Sequence, residues 1–203
     1  MEIYTKDDFD KMDKRFRTTF INSVWGFRNL NLIGTSSNAL QANFAIFNSL
    51  NHLGASPAFA SITFRPAEVE RHTFENILNT NYFSANNVVT ENHQKAHQTS
   101  ARYLKHENEA DEVGLTTIWD SELNTPYLQE SSIVLFLKYQ EHHTLKINNT
   151  ILVIASLEKI MFKNNCVEAD GFVNHTKAQT LSCVGLDAYY EPKFIEQLAY
   201  AKR

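Results

Sequence analysis

Between Leu30 and Arg65 no apolar run reaches the length a helix needs. The runs "NLIG", "NFAIFNSL" and "FASITF" are short and β-competent, and polar or Gly/Pro-containing breaks separate them. Three strands are predicted here. Their text is also unusually polar, with Thr35, Ser36, Ser37, Asn38, Asn43, Asn48 and Ser49 placed among the apolar residues. Burying an amide without a partner costs about 1–3 kcal/mol, so a strand-rich core retains such groups only where something satisfies them. Asx and Ser/Thr turns between strands would do so, and so would a bound ligand with a planar heteroaromatic edge and a phosphate.

The rest of the chain agrees with a mainly β body carrying peripheral helices. Thr5 followed by "KDDFDKMDKRF" predicts one short amphipathic helix with Phe9, Met12 and Phe16 on its face. "HTFENILNT" predicts a helix capped by Thr73, and "YFSANNVV" another strand. "ENHQKAHQTSARYL" reads as a polar surface helix that could cover an opening. "VGLTTIW", "YLQESSIVLFLKYQEHHTL" and "TILVIASLEKIMF" read as strands, the last two long enough to bend within a barrel wall. Pro192 is expected to open a C-terminal helix. With no repeat or linker in 203 residues, one domain covering 1–203 is expected, a β-barrel with helices at its edges.

Charge and cysteine usage exclude several functions. A net charge of −4 without any Lys/Arg cluster gives no footprint for nucleic acid. No apolar run spans a membrane, and the charged start "MEIYTKDDFDKMDKRF" is unlike a secretory signal, so a cytoplasmic location is expected with no membrane partner. Cys166 and Cys183, the only cysteines, form neither a CxxC pair nor a zinc spacing and read as packing residues or idle thiols. His93 and His97 share a helix face, but zinc needs three or four ligands, so no metal is expected.

In "RPAEVERHTFENI", Arg65 ends a strand and Arg71 and Thr73 precede and cap a helix. A helix N-terminus with a guanidinium beside it can hold phosphate; a capped surface helix with two solvated arginines has the same text. "HQTSA" sets an imidazole beside two hydroxyls, and Glu130 enters an apolar strand, where a cation or a subunit boundary would satisfy it. No GxSxG, Walker A or GxGxxG motif occurs, so a nicotinamide cofactor could only visit.

The blocks "WGFRNLNLIGTSSNALQANFAIFNSLNHLGASPAFASITFRP", "RHTFENI", "YFSANNV", "AHQTSA", "DGFV" and "GLDAYY" together resemble the flavin reductase-like proteins of the FMN-binding split-barrel superfamily, from about Phe20 to Tyr190. The resemblance implies a six-stranded split barrel, a homodimer, and FMN near the subunit boundary. By position it places Thr35, Ser36 and Asn38 in the loop along the flavin and Asn43, Asn48 and Ser49 in the "N…FSS" block. It places Arg65, Arg71 and Thr73 on the phosphate side and His97, Thr99 and Ser100 toward the open face of the ring. Two positions depart from the family: Asn48 stands where many relatives carry Ser, and "SPAF" at Ser56 to Phe59 lacks one proline of the family's pair. The implied activity is hydride transfer from NADH or NADPH to flavin, with an oxygenase or other redox partner downstream. The alternative is an FMN-carrying, flavoredoxin-like electron-transfer protein without nicotinamide activity of its own. Haem fits less well, because no His or Cys in the matching blocks stands as an axial ligand.

Overall fold

The computed structural model describes residues 1–66, 72–163 and 165–202. Two helices, α1 (Lys6–Lys11) and α2 (Lys14–Ser23), lead into β1 (Arg28–Asn29), β2 (Asn31–Ser36), β3 (Ala42–Phe47), β4 (Asn51–Ala55) and β5 (Ala58–Phe64). Then come α3 (His72–Thr80), β6 (Tyr82–Asn87), α4 (His93–Gln98), α5 (Glu109–Glu112), β7 (Thr117–Asp120) and β8 (Thr125–Leu128). The long hairpin β9 (Ile133–Thr144) and β10 (Ile151–Phe162) follows, and β11 (Ser182–Val184) and β12 (Ala188–Tyr190) end the regular structure.

Seven strands, one more than the resemblance implied, form one antiparallel sheet in the order β3-β2-β6-β9-β10-β5-β4. Its two edges, β3 and β4, are consecutive in the chain, so the backbone passes from one edge to the other through Asn48, Ser49 and Leu50 alone. Four Cα steps of about 3.8 Å reach at most about 15 Å. Seven flat strands about 4.8 Å apart would span about 29 Å. The sheet must therefore curl until its edges approach, which leaves a barrel open along an unpaired seam between β3 and β4.

The side chains of the crossover hold that seam. Leu50 is buried in the barrel core with Ile62, Phe64, Ile77, Phe83 and Val153. The Ser49 hydroxyl donates to the Thr63 carbonyl on β5 at 2.9 Å and accepts the Thr63 N–H at 3.3 Å. Asn48 donates to the Gly185 carbonyl at 2.8 Å, in the turn that joins β11 to β12. Those two strands and β1 form a small sheet of order β1-β11-β12, which is thereby drawn over the seam.

All six residues of β2 are buried, because both faces of this strand are covered. Ile33 points into the barrel core, while Leu32 points the opposite way, to a second core with Phe44, Ala96, Ala110, Leu128 and Cys183. Gly34 fits where nothing larger can: a Cβ there would lie 2.5 Å from Ser84 Oγ, 2.6 Å from Phe44 Cε1 and 2.6 Å from the Pro126 carbonyl.

Several sequence expectations are corrected. The N-terminal helix is two helices, because Asp13 accepts the Arg15 and Phe16 N–H groups and starts α2 afresh. The predicted C-terminal helix does not form; residues 191–202 have no regular structure, and Ile195, Leu198 and Tyr200 are 88%, 77% and 92% exposed. A short helix with no face to bury is marginal in water. The strand expected from Tyr127 is interrupted at 129–132, where the Glu130 carboxylate accepts the Thr116 N–H at 2.9 Å rather than meeting a cation. Strand β4 was hidden in a break, and the helix expected across "ENHQKAHQTSARYL" ends at Gln98. Helix α3 begins at His72, so Thr73 lies within its first turn rather than at its cap.

Candidate functional site

A cavity of about 740 Å³ opens along the seam. One wall comes from the large sheet, with Asn43, Ala45, Phe47, Asn48, Ser49, Thr63 and Arg65, and another from the small sheet and its approach, with Asn22, Arg28, Cys183 and Asp187. The start of α3 contributes His72 and Thr73, and the end of α4 contributes His97, Thr99 and Ser100. Its size lies in the usual range for a small-molecule site.

Asn43, Asn48, Ser49, Arg65, Thr73, His97, Thr99 and Ser100 are thus brought to one cavity from four chain segments. Thr35 is not on its surface. Fully buried behind it, Thr35 Oγ1 accepts from the Asn43 amide at 3.4 Å and from the Asn76 amide at 3.1 Å. The Asn43 amide also reaches Thr73 Oγ1 at 3.1 Å, which ties β3 to the first turn of α3. Ser36 and Asn38 line a different cavity of about 360 Å³, with Asn79, Tyr82 and Asn124. Arg71 lies outside the described residues.

Buried donors in this network are spent, but acceptors are not. The Asn43 and Asn48 amide nitrogens donate within the protein, while their side-chain oxygens accept no hydrogen bond from the described residues. Arg65, exposed at the end of β5, likewise makes no hydrogen bond or ion pair among them. The arrangement therefore offers two amide oxygens to ligand N–H or O–H groups and, on the same cavity, a guanidinium and the start of a helix to an anion.

Sequence reasoning missed four participants. Glu109, at the start of α5, is buried against the cavity and accepts the Phe44 N–H from the free edge of β3 at 2.7 Å. Burial pushes its carboxyl above the usual range, against the pull of that N–H. Tyr189 holds His97: its hydroxyl lies 2.6 Å from Nδ1, with the rings edge-on at 5.7 Å. Burial pushes the Tyr189 phenol up to about 12, so it stays protonated and shares a hydrogen bond with the imidazole. Cys183, opposite Tyr189 across β11 and β12, lines the cavity as well as packing, and burial raises its thiol. Arg28 pairs with Cys183 in β1. Only the fold could reveal these residues, since an acidic run, a terminal tyrosine and an isolated arginine all read as surface. Among the described residues, no three His, Cys, Asp or Glu side chains gather as a metal site.

Residues 27–180 match the flavin reductase like domain. The chain belongs to the flavin reductase-like family. No curated protein matches it. Among solved structures it is similar to a split-barrel protein from Shewanella frigidimarina NCIMB 400, provisionally named a flavin reductase, at 37% identity and TM-score 0.95, covering 99% of this chain and 100% of that one. Component B of nitrilotriacetate monooxygenase from Bacillus cereus shares the fold at TM-score 0.84 and 15% identity, over 98% of both chains. So does flavoredoxin of Desulfovibrio vulgaris (Miyazaki F), at TM-score 0.74 and 17% identity, over 86% of this chain and 92% of that one. The split barrel of this family is the curled, seam-opened sheet described above. Among the described residues no helix is long and apolar enough to cross a membrane.

Proposed function

We propose that the cavity binds FMN and that the protein is an NAD(P)H-dependent flavin reductase. The carrying observation is the pairing of an unpartnered Arg65 with the start of α3, beside the unspent amide oxygens of Asn43 and Asn48, in one cavity of a flavin reductase-like chain. Arg65 and the first-turn N–H groups of α3 would hold the phosphate; the amide oxygens would receive ribityl hydroxyls or the ring N–H. Bound flavin supplies hydride acceptance, and the protein supplies binding, orientation and exclusion of water. Thr35 keeps Asn43 and Asn76 oriented from behind, and Tyr189 fixes the imidazole of His97 on the remaining wall.

Anaerobic mixing of FMN-loaded protein with NADH and then NADPH tests this. Bleaching of the flavin absorbance at a catalytic rate is expected from at least one donor. The similarity to flavoredoxin favours a second reading, an FMN carrier that exchanges electrons with protein partners. Reduction by a protein donor, with no response to either nicotinamide, would establish that reading instead.

The exposed Trp25, Phe27, Ile195, Leu198 and Tyr200 offer apolar side chains that a second copy could cover, which supports a homodimer. Similarity to a monooxygenase component supports delivery of reduced flavin to an oxygenase. Two free buried thiols suit a cytoplasmic setting.

A further inference from the structure

The cavity holds a second guanidinium besides that of Arg65. Arg28 lies on β1, half-buried, on the small-sheet wall with Asn22, Leu186 and Asp187. Its guanidinium makes no hydrogen bond or ion pair with any described residue; Asp187 shares the wall without coming within ion-pair distance. A guanidinium carries five N–H donors and no acceptor. Drawing it partly out of water without a counter-charge is unfavourable, so its position is best explained by an anion that arrives with a ligand.

FMN has one phosphate, which the function proposed above assigns to Arg65 and the start of α3. Arg65 extends from β5 of the large sheet, whereas Arg28 belongs to the small sheet, so the two guanidiniums stand on different walls. Exposed Leu186 adds apolar surface on the wall of Arg28, and Asn22, whose amide nitrogen donates to the Thr18 carbonyl at 2.8 Å, offers its amide oxygen to a sugar hydroxyl. Planar, bidentate recognition is what a guanidinium offers to phosphate oxygens.

We propose that Arg28 anchors the diphosphate of the reduced nicotinamide dinucleotide, at a subsite separate from the FMN phosphate. The inference rests on the reading that NADH or NADPH reduces the bound flavin. Arg28 takes no part in hydride transfer; it sets the affinity of the donor. Among the ionisable groups on the cavity wall, Asp187 and Glu109 are the acidic ones, and they oppose anion entry, so the loss of Arg28 leaves little to hold a diphosphate.

The test is the reductive half-reaction of the FMN-loaded protein, followed by flavin absorbance, with Arg28→Gln and Arg28→Lys beside the parent. For Arg28→Gln, the half-saturating NADH concentration should rise about tenfold or more with the limiting rate little changed, as expected on losing a charge-assisted contact. Equilibrium binding of NAD⁺ to the loaded protein, read as a flavin difference spectrum, should weaken by the same factor. FMN fluorescence-quench titrations should not move, and reduction by N-benzyl dihydronicotinamide, which has no phosphate, should keep its concentration dependence. Arg28→Lys should recover part of the NADH affinity. Equal losses with NADH and the benzyl compound would overturn the proposal and make Arg28 a structural residue. Tenfold weaker FMN with NADH binding unchanged would overturn it by making Arg28 the flavin phosphate anchor. If the parent is reduced by NADH and Arg28→Gln behaves identically, this inference alone falls; if neither nicotinamide reduces the parent, the reductase reading falls and this inference falls with it.

Discussion

The Glu109 carboxylate accepts the backbone N–H of Phe44 at 2.7 Å. It thereby satisfies a donor on the free edge of β3, which the open seam leaves without a neighbouring strand. Because burial raises the Glu109 carboxyl above its ordinary value of 4.5, ionising it costs folded-state stability. The sign follows: the folded state gains from this group below the ordinary value, and the gain is lost as pH rises through the raised one. Glu109→Gln keeps an acceptor for Phe44 and removes the ionisation. It should flatten the fall of the melting temperature across that window, between the ordinary value and the raised one. Glu109→Ala leaves the N–H unpaired and should cost about 1–3 kcal/mol at any pH, measured by urea unfolding.

Thr35 acts behind the site rather than in it. Thr35→Val preserves shape but removes the oxygen that Asn43 and Asn76 share. Stability should fall by about 1–3 kcal/mol. FMN affinity should fall with it, because the Asn43 amide is no longer held. A loss of stability with unchanged FMN titration would limit Thr35 to the fold.

Arg65 carries the phosphate prediction. Arg65→Ala should weaken FMN by roughly tenfold to a hundredfold, the equivalent of a charge-assisted contact of about 1.5–3 kcal/mol. Riboflavin, which lacks the phosphate, should bind nearly as before. Thr73→Ala should show the same selectivity more weakly, since the helix N–H groups remain. Equal effects on both flavins would shift the phosphate role to Arg71.

Gly34→Ala would put a methyl group within 2.6 Å of Phe44 and of the Pro126 carbonyl. Backbone on one side and a core ring on the other leave no easy retreat. Overpacking of this kind costs about 1–3 kcal/mol or more, so a lowered melting temperature is expected.

Sedimentation should give twice the chain mass of 23.3 kDa. A monomer that still binds FMN tightly would remove the dimer from the account of the site.

Local text was enough to read most of the elements. The short β-competent runs placed β2, β3 and β5, and the periodicity of "HTFENILNT" placed α3, because burial of alternate or every third and fourth residue leaves its mark on the sequence. The blocks that resemble the flavin reductase-like family led to that family as well, since their order survives even where single motifs are weak. The C-terminal helix failed for the converse reason: propensity and a leading proline are local, but nothing packs against Ile195, Leu198 or Tyr200 to hold a helix there.

The sequence by itself determined a β body and a polar stretch that needed partners. Only the tertiary structure decided which partners. Ser36 and Asn38, one and three residues after Thr35, face another cavity, while Cys183, far along the chain, and Arg28 come to the same cavity as Asn48. The physical reason is the seam: where a curled sheet brings its edges together depends on the register of all seven strands at once, a property carried by no single segment.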